Sequence, residues 1–126
     1  MTLKMIKVRY RLNTLNGIKF YVLNLNQIEQ GFLKSLLKRD SYYNQSQILD
    51  VDLYIGSKDK NGKEIYERDI IKHKDKFGNG MGIVEFNFPS FRLKDKNGFC
   101  DDWNWEKEFE VIGNIYENKD LTGDLK

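Results

Sequence analysis

Residues Lys4–Leu12, "KMIKVRYRL", alternate between two sides of an extended chain: Met5, Lys7, Arg9 and Arg11 on one, Ile6, Val8, Tyr10 and Leu12 on the other. Strand side chains point to opposite faces in turn, so this period of two predicts a half-buried strand. Asn16-Gly17 then supplies tight-hairpin turn chemistry, and Ile18–Leu25 reads as the return strand. The period changes next. Ile28, Phe32, Leu33, Leu36 and Leu37 recur at helical spacing, and Asn26 and Glu29 are spaced as a capping box. Lys34, Lys38 and Arg39 gather where cations complement the helix dipole. One long helix is predicted from Gln27 to Lys38, weakened at Gly31 by about 1 kcal/mol relative to alanine.

From there the pattern is β. Ile48–Gly56 alternates as a third strand, and "KDKNG" at Lys58–Gly62 follows as a hairpin tip whose Lys58, Asp59, Lys60 and Lys63 keep it solvated. Arg68–Lys74 predicts a short strand, "FGNGMG" (Phe77–Gly82) a flexible connection, Ile83–Phe88 and Phe91–Asp95 a strand pair. A second "KDKNG" at Lys94–Gly98 again ends a strand, and Lys107–Asn118 closes the sheet before a fraying tail. The predicted fold is mainly β, a β-rich α+β chain forming one domain over residues 1–126. Residues 1–50 supply a hairpin and one helix, and residues 51–121 a small SH3-like or bent-sheet barrel.

Composition narrows the class. The 126 residues are 40% hydrophobic, enough for a real core, which argues against global disorder. Lys and Arg number 21 against 19 Asp and Glu, so the total shows neither the basic surplus of a nucleic-acid binder nor the acidic surplus of a DNA mimic. Cys100 is the only cysteine, which excludes an internal disulfide and a thiolate zinc site and suits a cytoplasmic setting. No apolar run has the length of a signal peptide or a membrane span, so no membrane association is expected.

Candidate chemistry is sparse. His73 is the only histidine, flanked by Lys72 and Lys74, and reads as an exposed structural residue rather than a base or ligand. Asp101-Asp102, with Glu106 and Glu108, match no calcium-loop spacing and read as a solvated acidic loop. Trp103 and Trp105, one residue apart, either cover an open barrel end or form an aromatic contact surface. Tyr42 and Tyr43 are further contact candidates. Arg9, Arg11, Lys34, Lys38, Lys58 and Lys60 would be the basic surface of a nucleic-acid module, against a bland reading as mixed solvated surface. Nucleotide-binding glycine motifs are missing, and "FGNGMG" lies between strands with no helix N-terminus behind it. Nothing in the sequence indicates an enzyme: no catalytic residue, cofactor or metal ligand is expected.

At Tyr54–Lys72, "YIGSKDKNGKEIYERDIIK", the chain resembles the YopX family, small proteins carried mainly by phages and prophages of low-GC bacteria. "GIVEF" at Gly82–Phe86 and "FEVIGNIYENKDL" at Phe109–Leu121 continue the resemblance in order, over about the last 70 residues. Arg68 stands where the family usually has glycine, so this position is expected not to need positive φ. Ser57 and Lys119 are further departures, and the opening half differs from the family's usual start. The resemblance implies a β-rich phage accessory protein and carries over no catalytic residue. It makes the first "KDKNG" a signature hairpin and the second incidental. The expected function is non-enzymatic binding of a host or phage macromolecule, an anti-CRISPR-type inhibitor being the sharpest version. A protein partner is favoured, with a nucleic-acid module and a self-assembling homo-oligomer as alternatives.

Overall fold

Alternation and turn chemistry account for most of the architecture. The computed structural model describes residues 6–14, 16–40, 47–75, 78–87, 90–95, 98–100 and 108–121. The chain forms two compact units, Met1–Tyr54 and Ile55–Lys126.

In the first unit, strands β1 (Lys7–Thr14) and β2 (Gly17–Asn24) form an antiparallel hairpin with Tyr10 opposite Tyr21. The Thr14 hydroxyl closes the turn, donating to the Gly17 carbonyl (2.6 Å) and accepting from Asn16 N–H (3.2 Å). Gly17 supplies the positive φ, 98°, that the turn demands. Strand β3 (Gln47–Lys58) pairs antiparallel with the other side of β1, with a register shift between Arg11 and Leu12. Val8, Tyr10, Leu12 and Leu23 form the core, covered by Ile28, Leu33, Leu36 and Leu37.

The helical segment corrects the prediction of one long helix. It is two, α1 (Leu25–Glu29) and α2 (Phe32–Asp40). Gly31, at φ 85°, leaves the right-handed region and breaks the segment there. The capping box also sits two residues earlier than its predicted place. Gln27 N–H donates to the Asn24 side chain, and the Gln27 side chain accepts from Asn24 N–H, both at 2.8 Å.

In the second unit, the end of β3 turns into β4 (Glu64–Tyr66), a strand too short for its alternation to register in sequence. Strands β5 (Asp69–Asp75), β6 (Gly78–Asn87), β7 (Ser90–Asp95), β8 (Gly98–Cys100) and β9 (Glu108–Asn114) form an antiparallel sheet in the order β8-β7-β6-β5-β9. It is a half-barrel, the form that the expected bent-sheet barrel takes. Ile65, Ile71, Val84 and Leu93 are buried in one cluster; Ile70 and Ile83 are buried in another with Ile112 and Ile115.

Three expectations change here. Gly78–Gly82 is part of β6, not a connection. His73, half-buried rather than exposed, pairs with Gly80, and its ring lies where a side chain at Gly80 would stand. The glycine makes room for the imidazole across the ladder. Asp59 is not a solvated tip residue either. It is 8% exposed, and its carboxylate accepts from Asn61 N–H (2.8 Å), Lys63 N–H (2.9 Å) and Val111 N–H (2.9 Å). Lys60 N–H also donates to the Phe109 carbonyl (3.0 Å), so the signature hairpin is fastened to β9. After β9, the Asn114 side chain accepts from Tyr116 and Glu117 N–H, and Asn118 accepts from Asn114 N–H. A side chain at Gly113 would occupy the place of Asn118. The first and last of the three family-like motifs thus have a structural explanation.

Candidate functional site

Tyr66–Asp69 forms the turn between β4 and β5. The buried Asp69 carboxylate accepts from Tyr66 N–H (2.9 Å) and holds its two ends together. Arg68, third in the turn, has φ 66°. This corrects the expectation that the position avoids positive φ: the arginine adopts the conformation that glycine takes at low cost. For a residue with a Cβ the left-handed region costs about 1–2 kcal/mol. The surroundings enforce it, because Arg68 N–H donates to the Val84 carbonyl (2.7 Å) and the Arg68 carbonyl accepts from Ile115 N–H (3.1 Å).

Beside this turn opens a cleft of about 520 Å³, lined by Glu67, Arg68, Ile83, Glu85, Phe86, Lys94 and Ile115. Each lining residue has a local origin. Ile83 and Ile115 belong to the Ile70 core cluster and form an apolar floor. Glu85 and Lys94 lie on the same face of the β6–β7 ladder as Ile83, with Lys94 opposite Ile83 and Glu85 opposite Arg92. Phe86 is 50% exposed and packs edge-on against Phe91, its cross-strand neighbour, with ring centroids 5.2 Å apart. The Arg68 side chain is 41% exposed and stands 3.9 Å from the Glu67 carboxylate, a separation at which an ion pair contributes little. The arrangement is an amphipathic cleft: it can bury an apolar group and pair a charged one at the rim.

The predicted basic residues are placed differently from one another. Arg9 lies opposite Asp52 across the β1–β3 ladder and pairs with it at 3.0 Å, both side chains buried, with Phe20 under the guanidinium at 5.4 Å. Arg11 pairs with Asp50 at 2.7 Å in the same way, nearer solvent. These guanidinium groups are held within the sheet by carboxylates. Lys34 and Lys38 are exposed one turn apart on α2 in the first unit, and Lys58 and Lys60 are exposed in the second. Lys60 approaches Glu108 at 4.0 Å. Trp103, Trp105, Tyr42 and Tyr43 lie outside the described residues, as does the Asp101-Asp102 loop. Among the described residues no cluster of three or more His, Cys, Asp or Glu side chains could hold a metal ion. None of their helices is long and apolar enough to cross a membrane.

Sequence reasoning passed over the cleft residues. Its one usable signal was the arginine at a turn position suited to glycine.

A small, mainly β chain with a fastened signature hairpin and an open cleft is the class these features define. The YopX protein family matches residues 13–122, and the chain belongs to that family. The match begins at residue 13, well upstream of Tyr54, and takes in β2, α1, α2 and the start of β3, which the motif-level resemblance left out, but only the last two residues of β1. Among curated proteins the chain has no match.

Proposed function

We propose that this is a non-enzymatic accessory protein of phage or prophage origin that binds a protein in the bacterial cytoplasm, with inhibition of host defence as its sharpest version. The observation that carries this reading is Phe86, half exposed at the rim of a cleft with an apolar floor. Exposed aromatic side chains beside pockets are the usual anchors of protein interfaces. The engaged guanidiniums of Arg9 and Arg11 support a protein partner over a nucleic acid, because each already has a carboxylate at hydrogen-bond distance.

The test is a tagged pull-down from phage-infected host lysate with nuclease-treated and untreated arms. A specific protein that survives nuclease and is lost with Phe86→Ala supports the reading. A signal removed by nuclease transfers the function to nucleic-acid binding, and Lys34 and Lys38 become the residues to change.

A further inference from the structure

The edges of the two sheets are treated unequally. Among the described residues four strands stand at sheet ends, β2 and β4 in one sheet, β8 and β9 in the other. β4 and β8 are three residues long. β9 is fastened along its outer side by the signature hairpin, through the Val111 N–H and the Phe109 carbonyl. Short length and cover are two of the usual ways in which an edge is kept from pairing with another chain. β2 has neither. It runs for eight residues, pairs with β1 without a register shift, and has no described strand beyond it. It holds no proline, and Lys19 is its single charge.

We propose that β2 pairs antiparallel with β2 of a second copy of this chain, about a two-fold axis at Phe20. The inference rests on the first unit alone and stands apart from the reading above.

Register and side-chain chemistry choose this occupant. Pairing with β1 puts Lys19, Tyr21 and Leu23 on the core face with Leu12, Tyr10 and Val8, and so Ile18, Phe20 and Val22 on the other. On that outer face Ile18 is 52% exposed and Val22 44%. A two-fold axis at Phe20 sets Ile18 opposite the partner's Val22, and Val22 opposite the partner's Ile18, with the two Phe20 residues between them. Apolar side chains then meet along the whole row. On the core face Lys19 meets the partner's Tyr21, so no like charges are opposed. An axis one residue earlier would oppose Lys19 to its own copy, and one residue later would set Ile18 opposite Asn24. Each copy covers the apolar row that the other exposes, and the outward N–H and C=O groups of both strands gain ladder partners. The contact is self-complementary and closes, as an isologous dimer requires.

Sedimentation velocity of the full chain, from micromolar to millimolar concentration, is expected to show a monomer passing into a dimer. Ile18→Glu with Val22→Glu opposes like charges on both sides of the axis. It is expected to weaken dimerisation about tenfold or more, with an unchanged circular-dichroism spectrum. Ile18→Lys with Val22→Glu opposes unlike charges and is expected to dimerise as the parent does. Oxidised glutathione then reads the register, with Cys100→Ser in every chain. Opposite residues of antiparallel strands lie close enough for a disulfide, and residues four apart along a strand do not. A mixture of Ile18→Cys and Val22→Cys chains is therefore expected to form a covalent dimer, and neither chain alone. A chain monomeric at every concentration overturns the proposal. So does a dimer that the two glutamates leave intact, or one whose cysteines cross-link equally in either single preparation. If the glutamates unfold the chain, the cysteine mixture decides.

Discussion

Arginines in the two units are used in opposite ways. In the first, Arg9 and Arg11 meet Asp52 and Asp50 directly across the β1–β3 ladder. Strand register brings each pair together without backbone strain, and the charges belong to the sheet. In the second, Arg68 sits at positive φ, held there by neighbours, with its side chain at a cleft rim. The first arrangement is explained by folding alone. The second holds a charged residue against its backbone preference through hydrogen bonds with Val84 and Ile115.

The largest effect expected on this contrast is at Asp52. Asp52→Ala leaves the buried Arg9 guanidinium without its carboxylate and should destabilise the protein by about 3–5 kcal/mol in urea unfolding. A cost near zero would mean that the pair is not part of the fold's stability. Next comes Asp59, a structural charge within the second unit. Asp59→Asn turns an acceptor into a donor facing backbone N–H groups and should cost about 2–3 kcal/mol.

Asp59 also sets a pH dependence. Burial pushes its carboxyl pKa up, but the N–H groups of Val111, Lys63 and Asn61, with the charge of Lys63, outweigh burial and hold it below the ordinary carboxylate value. A lowered folded pKa contributes stability that is fully present above the unfolded value of about 3.9 and is lost as pH falls through the folded one. Acid unfolding of Asp59→Asn should therefore show less pH dependence in that range than the parent. Identical acid profiles would remove Asp59 from the account.

Smaller effects sharpen the comparison. Arg68→Gly should stabilise by about 1 kcal/mol, a change of opposite sign to the others. Asp50→Ala should cost only about 0.5 kcal/mol, since its pair with Arg11 is partly solvated. An Asp50 effect as large as that of Asp52 would show that burial does not separate the two pairs.

Much of this was legible in the sequence, and for stated reasons. Alternation located β1 and β3, and the Asn16-Gly17 turn placed β2 as the return strand beside β1. The pairing of charges was legible in principle: "RYR" at Arg9–Arg11 and "DVD" at Asp50–Asp52 have matching period-two spacing, which antiparallel strands align. What hid it was register, which no single strand reveals. Gly31 announced a weakness, but not that its positive φ would end one helix and leave Leu33, Leu36 and Leu37 of the next packed on the core. The glycine-rich strand was illegible because Gly80 is explained only by His73 across the ladder. The two "KDKNG" copies look alike in sequence. Only contacts from β9 show that Asp59 in the first is a buried hub, and Lys94 of the second lines the cleft. Of the cleft, only Arg68 stood out beforehand, and the inference first drawn from it had the sign of φ wrong.

The most direct measurement compares the unfolding free energies of Arg68→Gly and Asp52→Ala with that of the parent. The account predicts opposite signs, with Arg68→Gly more stable by about 1 kcal/mol and Asp52→Ala less stable by about 3–5 kcal/mol. An Arg68→Gly variant less stable than the parent would contradict it, and would return Arg68 to the structural charges with Arg9 and Arg11.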